Sequence, residues 1–259
     1  MKKIDIEKAK FFTKVIGSLA LLKPFMEKMG IREIIDRTCP ADPQKLLSHG
    51  VVIELMGANR LLSPSPLYAV EDWAYQSGVE EVYKIDPGLL NDDRLGDTLD
   101  AIHEYIPVLK GEISLEVAKR FQIGLEHIHW DLTSFYFEGD YENQEEQYIK
   151  IVYAKTKKSE MARKSAKIGI NIANDGKGPV PIFYEPLDGN ATGFEATIEN
   201  MENLKKHLKL DRLIRINDRG CFSEKIVAKT RRMGFHLISS IAWSPTYESI
   251  LTQVHDFKK

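Results

Sequence analysis

The chain has 259 residues, enough for one large domain or two ordinary ones, and its 43% hydrophobic and 29% charged residues exclude an intrinsically disordered polymer. Its formal net charge of -2 argues against a protein that coats nucleic acid with its whole surface. No apolar run reaches the roughly 18 residues of a membrane helix, and "MKKIDIEKAKFFTKVIGSLALLKPFMEK" is charged throughout what would be a signal core, so we expect no membrane partner and a cytoplasmic location.

In chain order, the first half reads as helical. "LALLKPFMEKMGIREIIDRT" and "KLLSHGVVIELMGANRLL" carry apolar residues at three and four spacing, and the Ser-Pro pairs of "SPSPLYAVEDWAYQSG" suit a helix start. "DDRLGDTLDAIHEYIP" predicts a further helix that Pro107 stops, and "LEVAKRFQIG" a last one. These mark a helical domain over residues 1–124.

Near residue 125 the period shifts towards two. "LEHIHWDLTSFYFEG" predicts a strand, "EEQYIKIVYAK" a short strand or a loop, and "AKIGINIAND" with "GPVPIFYEPLDGN" a hairpin turned by Asp175, Gly176, Lys177 and Gly178. Helix "GFEATIENMENLKKHLKL", strand "DRLIRIND", helix "SEKIVAKTRRMG" and strand "FHLISSIA" follow. The order describes a mixed α/β sheet over residues 125–259, so the whole chain is α+β: helices first, then a sheet domain. Cys39 and Cys221 lack any CxxC spacing, which indicates neither a disulfide framework nor a zinc ribbon.

Two acids stand out. Asp131 interrupts an aromatic, apolar run that reads as a buried strand, where an unpaired carboxylate is costly and calls for a partner or a metal. Asp218 ends the strand of "RLIRIND" just before an Arg-Gly turn. Carboxylates converging from two strand ends repel unless a divalent cation lies between them, and oxygen-only ligation suits magnesium or manganese. A turn or helix-cap role for Asp218 stays open on this spacing. His127 and His129 share a strand face with Asp131, a weaker His-His-Asp metal pattern without a fourth ligand. Trp73, Trp130 and Trp243 read as packing residues. Bases concentrate in "KIVYAKTKKSEMARKSAK" and at Arg212, Arg215, Arg219, Lys225, Lys229, Arg231 and Arg232, either as solvated helix and loop charge or as a track for a phosphate backbone.

With these residues assembled, "HWDLTSFYFEG" together with "EPLDGNATGFEATIENMENLKKHLKLDRLIRINDRGCFSEKIVAKTRRMG" resembles the DDE transposases of bacterial insertion sequences, in the IS-four superfamily and its sixteen-thirty-four-like branch. The resemblance covers nearly the whole chain and rests on Asp131 with Thr133 and Ser134, on Asp218 with Arg219 and Gly220, and on the Gly189-Asn190 pair. It implies a helical amino-terminal domain for end recognition or assembly and a ribonuclease H-like core. It further implies magnesium or manganese held by Asp131 and Asp218, hydrolysis at transposon ends and strand transfer into target DNA. The implied partners are double-stranded DNA, as terminal repeats and target, and further copies of the chain, in a bacterial cytoplasm and at the nucleoid when bound.

By the same resemblance Arg219, Lys155, Lys157, Lys158, Arg163 and Lys164 would flank the site as DNA-backbone contacts. The family's third ligand is a Glu within a Tyr-Arg-Glu-Lys signature after a β-rich insertion, and Glu248 in "AWSPTYESILTQV" lacks those companions. The expectation is therefore an incomplete core, without the insertion and the final helix, that is inactive alone. Rival readings are a DNA-binding remnant or interfering protein, and a phosphatase with a nucleophilic Asp, which would need an acid where Thr133 stands.

Overall fold

A computed structural model describes residues 13–141, 149–156, 159–218 and 221–241, with the side chains of 155, 156 and 159–162 excepted. The chain divides into two compact units, Met1–Arg120 and Phe121–Lys259. No described helix is long and apolar enough to cross a membrane.

The first unit is helical: α1 (Gly17–Met29), α2 (Ile31–Thr38), α3 (His49–Leu62), α4 (Val70–Gln76), α5 (Val79–Tyr83), α6 (Asp92–His103) and α7 (Ile106–Arg120). The run expected as one helix breaks at Gly30, whose φ of 70° places it in the left-handed region that ends α1. Arg120 reinforces this corner by donating to the carbonyls of Glu27 and Lys28. Ser48 caps α3 by accepting from Val51 N, and Asn91 caps α6 by accepting from Arg94 N. Pro107 does not stop α6. That helix already ends at His103, and Pro107 lies in the first turn of α7, where its missing N–H has no bond to lose. Leu19, Val52, Leu55, Leu90 and Leu95 form the main core, and Ile34, Ile35, Ile102 and Leu109 a second. A part-buried ion pair joins α2 to α3, with Arg32 Nη2 donating to Glu54 Oε1 at 2.8 Å.

The second unit is a mixed sheet built from β1 (His127–Tyr136), β2 (Val152–Thr156), β3 (Ser159–Asn174), β4 (Pro179–Asp188), β5 (Ile214–Asn217) and β6 (His236–Ser239), with α8 (Gly193–His207) and α9 (Glu224–Arg232). Strands run in the order β4-β3-β1-β5-β6, and β2 pairs with the first part of β3. β3 is antiparallel to β1 and β4, whereas β5 and β6 run parallel to β1. One reversed strand beside a parallel set, with crossover helices after β4 and β5, is the ribonuclease H-like α+β arrangement the resemblance implied. "EEQYIKIVYAK", left open between strand and loop, contributes β2 from Val152, and β3 begins well before the expected "AKIGINIAND".

Local chemistry explains the frame. Pro179, Pro181 and Pro186 suit β4, which pairs only with β3 among the described strands and so has ladder positions to spare. Asn174 and Asp175 shape the hairpin by accepting from Gly176 N and Lys177 N. Thr192 caps α8, accepting from Glu195 N while its hydroxyl donates to the Glu195 carboxylate. α8 and α9 pack together through Thr230 on Met201 and Lys229 on Glu202.

Candidate metal centre beside two parallel strands

Alternation along β1 sorts its side chains onto two faces of the sheet. Ile128 and Trp130 are buried, at 0% and 2% exposure, on the face covered by α8, where Trp130 Nε1 donates to Thr197 Oγ1 at 3.2 Å. The Trp130 ring lies against Gly169 of β3; a Cβ there would stand 1.9 Å from Trp130 Cη2. Asp131 therefore points the other way and is exposed. This corrects the expectation that Asp131 pierces a buried run. Only every second residue of that run faces the core, so the carboxylate bears no burial cost and its placement has to be explained by what it faces.

The parallel register of β1 and β5 pairs His127 with Ile214, Ile128 with Arg215, His129 with Ile216 and Trp130 with Asn217. Asp131 follows Trp130 within β1, and Asp218 follows Asn217 just past the end of β5. The register therefore points the two acids to neighbouring positions, both exposed and, by alternation from Trp130 and Asn217, away from the face that α8 covers. β6 supports Asp218: Ser240 Oγ donates to Asp218 Oδ1 and Ser239 Oγ to its backbone carbonyl, each at 3.4 Å. The helix-cap role left open for Asp218 falls instead to Ser223, whose Oγ accepts from Ile226 N at 3.2 Å.

Around the pair the open face carries His127, His129 and Thr133 from β1, half-buried Ile168, Ile170 and Ile172 from β3, and Ile238 of β6, 56% exposed. Among the described residues no group of three or more His, Cys, Asp or Glu side chains is close enough to hold a metal ion, so the His-His-Asp arrangement does not form there.

Of the expected DNA contacts, Arg163 is exposed on β3 with its guanidinium 5.5 Å from the centre of the Tyr136 ring. Lys164 is half-buried; it donates to Gly139 O at 2.8 Å and lies over Tyr153. Arg219, Lys157 and Lys158 lie outside the described residues, as do the Lys155 side chain, Trp243 and Glu248. Gly189 of the Gly-Asn pair is needed for close packing, since its N donates to Lys150 O and a Cβ would stand 2.0 Å from Ser165 O.

The sequence pattern did not reveal Arg215, which counts there among the surface bases. Its side chain is entirely buried against Trp130, Asn200 and Asn217. The clue was parity, because Arg215 shares its face with Leu213 and Asn217 and opposes Asp218.

The family model of a domain of unknown function, DUF4277, matches residues 11–108, within the helical unit. No curated protein matches the chain. Among solved structures, the Mos1 transposase paired-end complex with left transposon end matches at 13% identity over 83% of this chain and 67% of that chain, with a TM-score of 0.30. The piggyBac transposase synaptic complex with hairpin DNA matches at 11% identity over 90% of this chain and 45% of that chain, with a TM-score of 0.39. The Mos1 mariner paired end complex with Mn matches at 15% identity over 83% of this chain and 66% of that chain, with a TM-score of 0.28. These likenesses are distant.

Proposed function

We propose that the chain is part of a DNA transposase, with Asp131 and Asp218 as ligands of a divalent cation at which phosphodiester bonds at transposon ends are cut and joined. The observation that supports this reading is the β1–β5 register, whose last pair, Trp130 with Asn217, is followed on each side by an exposed acid, Asp131 within β1 and Asp218 just past the end of β5. That is where open α/β sheets bind ligands. Two exposed carboxylates fit a hard cation that keeps several waters, magnesium or manganese. Such an ion would stabilise charge on the oxygens of a phosphodiester under attack.

The chain's own residues supply position. The strand pairing fixes both acids, Ser240 holds one oxygen of Asp218, and the exposed Arg163, together with Lys155, Lys157, Lys158, Lys164 and Arg219, is proposed to track the DNA backbone. The helical unit is proposed as the part that recognises terminal repeats or assembles copies of the chain. An origin in an insertion sequence of the IS-four superfamily, and a bacterial cytoplasmic setting, belong to the same proposal.

The test is cleavage of a labelled duplex carrying the element's terminal repeat, in magnesium or manganese, by the unmodified protein and by Asp131→Ala and Asp218→Ala. Metal-dependent cutting that either substitution abolishes is the expected result. Binding of the same duplex without cutting, unchanged in both variants, would indicate a non-catalytic DNA-binding protein.

A further inference from the structure

Arg215 sits in β5 with no exposed surface. Its fork reaches three elements: Nε donates to Asn217 Oδ1 at 2.9 Å, Nη1 donates to Asn200 Oδ1 on α8 at 2.9 Å, and the guanidinium carbon lies 5.2 Å from the centre of the Trp130 ring. Trp130 is the residue before Asp131, and Asn217 is the residue before Asp218. One buried side chain therefore grips the two positions whose successors are the acids.

Stability does not account for this arrangement. Burial drags the Arg215 pKa down to about 9. Among the described residues its Nη2, Asn200 Nδ2 and Asn217 Nδ2 have no hydrogen-bond partner. A buried charge held by amides and a ring rather than by a carboxylate is costly, and an apolar cluster in place of the arginine and both amides together is often neutral or stabilising. What an apolar residue cannot do is bond Asn217 and α8 directionally while lying on Trp130. A planar fork does this, and a lysine does not reproduce it.

We propose that Arg215 is a positioning residue that sets the separation and direction of the Asp131 and Asp218 carboxylates from beneath the sheet. With Trp130 and Asn217 pinned on the covered face, their successors, Asp131 within β1 and Asp218 just past β5, are directed to the open one. The chemical meaning of this clamp rests on the proposed divalent-cation site, whereas its geometry can be tested without any metal.

The experiment is disulfide trapping in the full chain with Cys221→Ala throughout. Asp131→Cys and Asp218→Cys are introduced together, and the rate of cross-link formation is measured with Arg215 intact, with Arg215→Met and with Arg215→Lys. Positions this close lie within disulfide reach, so the intact clamp should cross-link fast and both substitutions should slow it by about tenfold, with circular dichroism showing each variant folded. Equal rates in the three backgrounds, or full rescue by Lys, would overturn the proposal. Should Arg215→Met fail to fold, Asn217→Ala severs one arm alone and must also slow the cross-link; an unchanged rate there refutes the clamp. In parallel, Arg215→Lys in the otherwise unmodified protein should weaken Mn2+ affinity about tenfold, the usual effect of loosening a residue behind a metal ligand. Absence of Mn2+ binding by the unmodified protein would defeat the metal reading, while the trapping rates would still decide the clamp.

Discussion

On one face of the sheet polar side chains are locked inside: Arg215, Asn217 and Asn171 are buried with Trp130 and Ile128 under α8, whose Thr197 accepts from Trp130. On the other face isoleucines stand partly in solvent around two exposed carboxylates. The usual sorting of polar outside and apolar inside is thus partly inverted along single strands. The covered face uses polar groups to hold positions, and the open face presents groups that a ligand would complete. A substitution at Trp130 should be felt in folding and one at Asp131 in binding, although the two residues are adjacent in sequence.

The strongest way to break this comparison is Trp130→Ala, which removes the largest side chain under α8 and should cost about 3–5 kcal/mol. Guanidinium unfolding followed by circular dichroism would show it; a loss no larger than that from Asp131→Ala would mean the two faces are not distinct. Next comes Gly169→Ala, whose Cβ would meet the Trp130 ring, expected to cost about 1–3 kcal/mol by the same measurement. Thr197→Val removes the acceptor of the buried Trp130 indole N–H and should cost about 1–3 kcal/mol, towards the lower end because the shape is kept.

The smallest effect is tied to pH. Hydrogen bonds from Gly124 N and then Lys177 N hold the Asp175 carboxyl below its usual range. The stability this carboxylate contributes is therefore present above about pH 4 and lost as pH falls through the depressed value. Asp175→Asn should be less stable than the parent at neutral pH, and the gap should close in acid; a gap constant from neutral pH down to about pH 2 would show that the charge has no part in anchoring the start of β1.

Much of this architecture was legible in the sequence because it depends on local signals. The apolar spacing behind α1, α3, α6 and α8 is confined to single helices, although the corner at Gly30 went unread inside the first of these runs. The Asp175-Gly176-Lys177-Gly178 turn is equally local, and β5, α9 and β6 follow from their periods. Pro107 was misjudged because a proline near a boundary marks the start of one helix as readily as the end of another.

Composition, by contrast, concealed the facing of side chains. The aromatic run around Asp131 suggested a uniformly buried strand, but only its alternate members lie under α8. Arg215 passed for a surface base because nothing in its own neighbourhood announces that Trp130 and Asn200, 85 and 15 residues earlier in the chain, enclose it. The pairing of Asp131 with Asp218 is also non-local. Each acid was visible in the sequence, but only the register between β1 and β5, which ends at Trp130 and Asn217, points them to neighbouring positions.

The proposed metal centre stands on that pairing, and Mn2+ titration followed by electron paramagnetic resonance tests it most directly, using the unmodified protein, Asp131→Ala and Asp218→Ala. Paired ligands predict saturable binding that each substitution removes or weakens by at least about tenfold, with folding intact because both positions are exposed. Mn2+ binding of equal strength in all three chains would contradict the pairing of Asp131 and Asp218 as ligands.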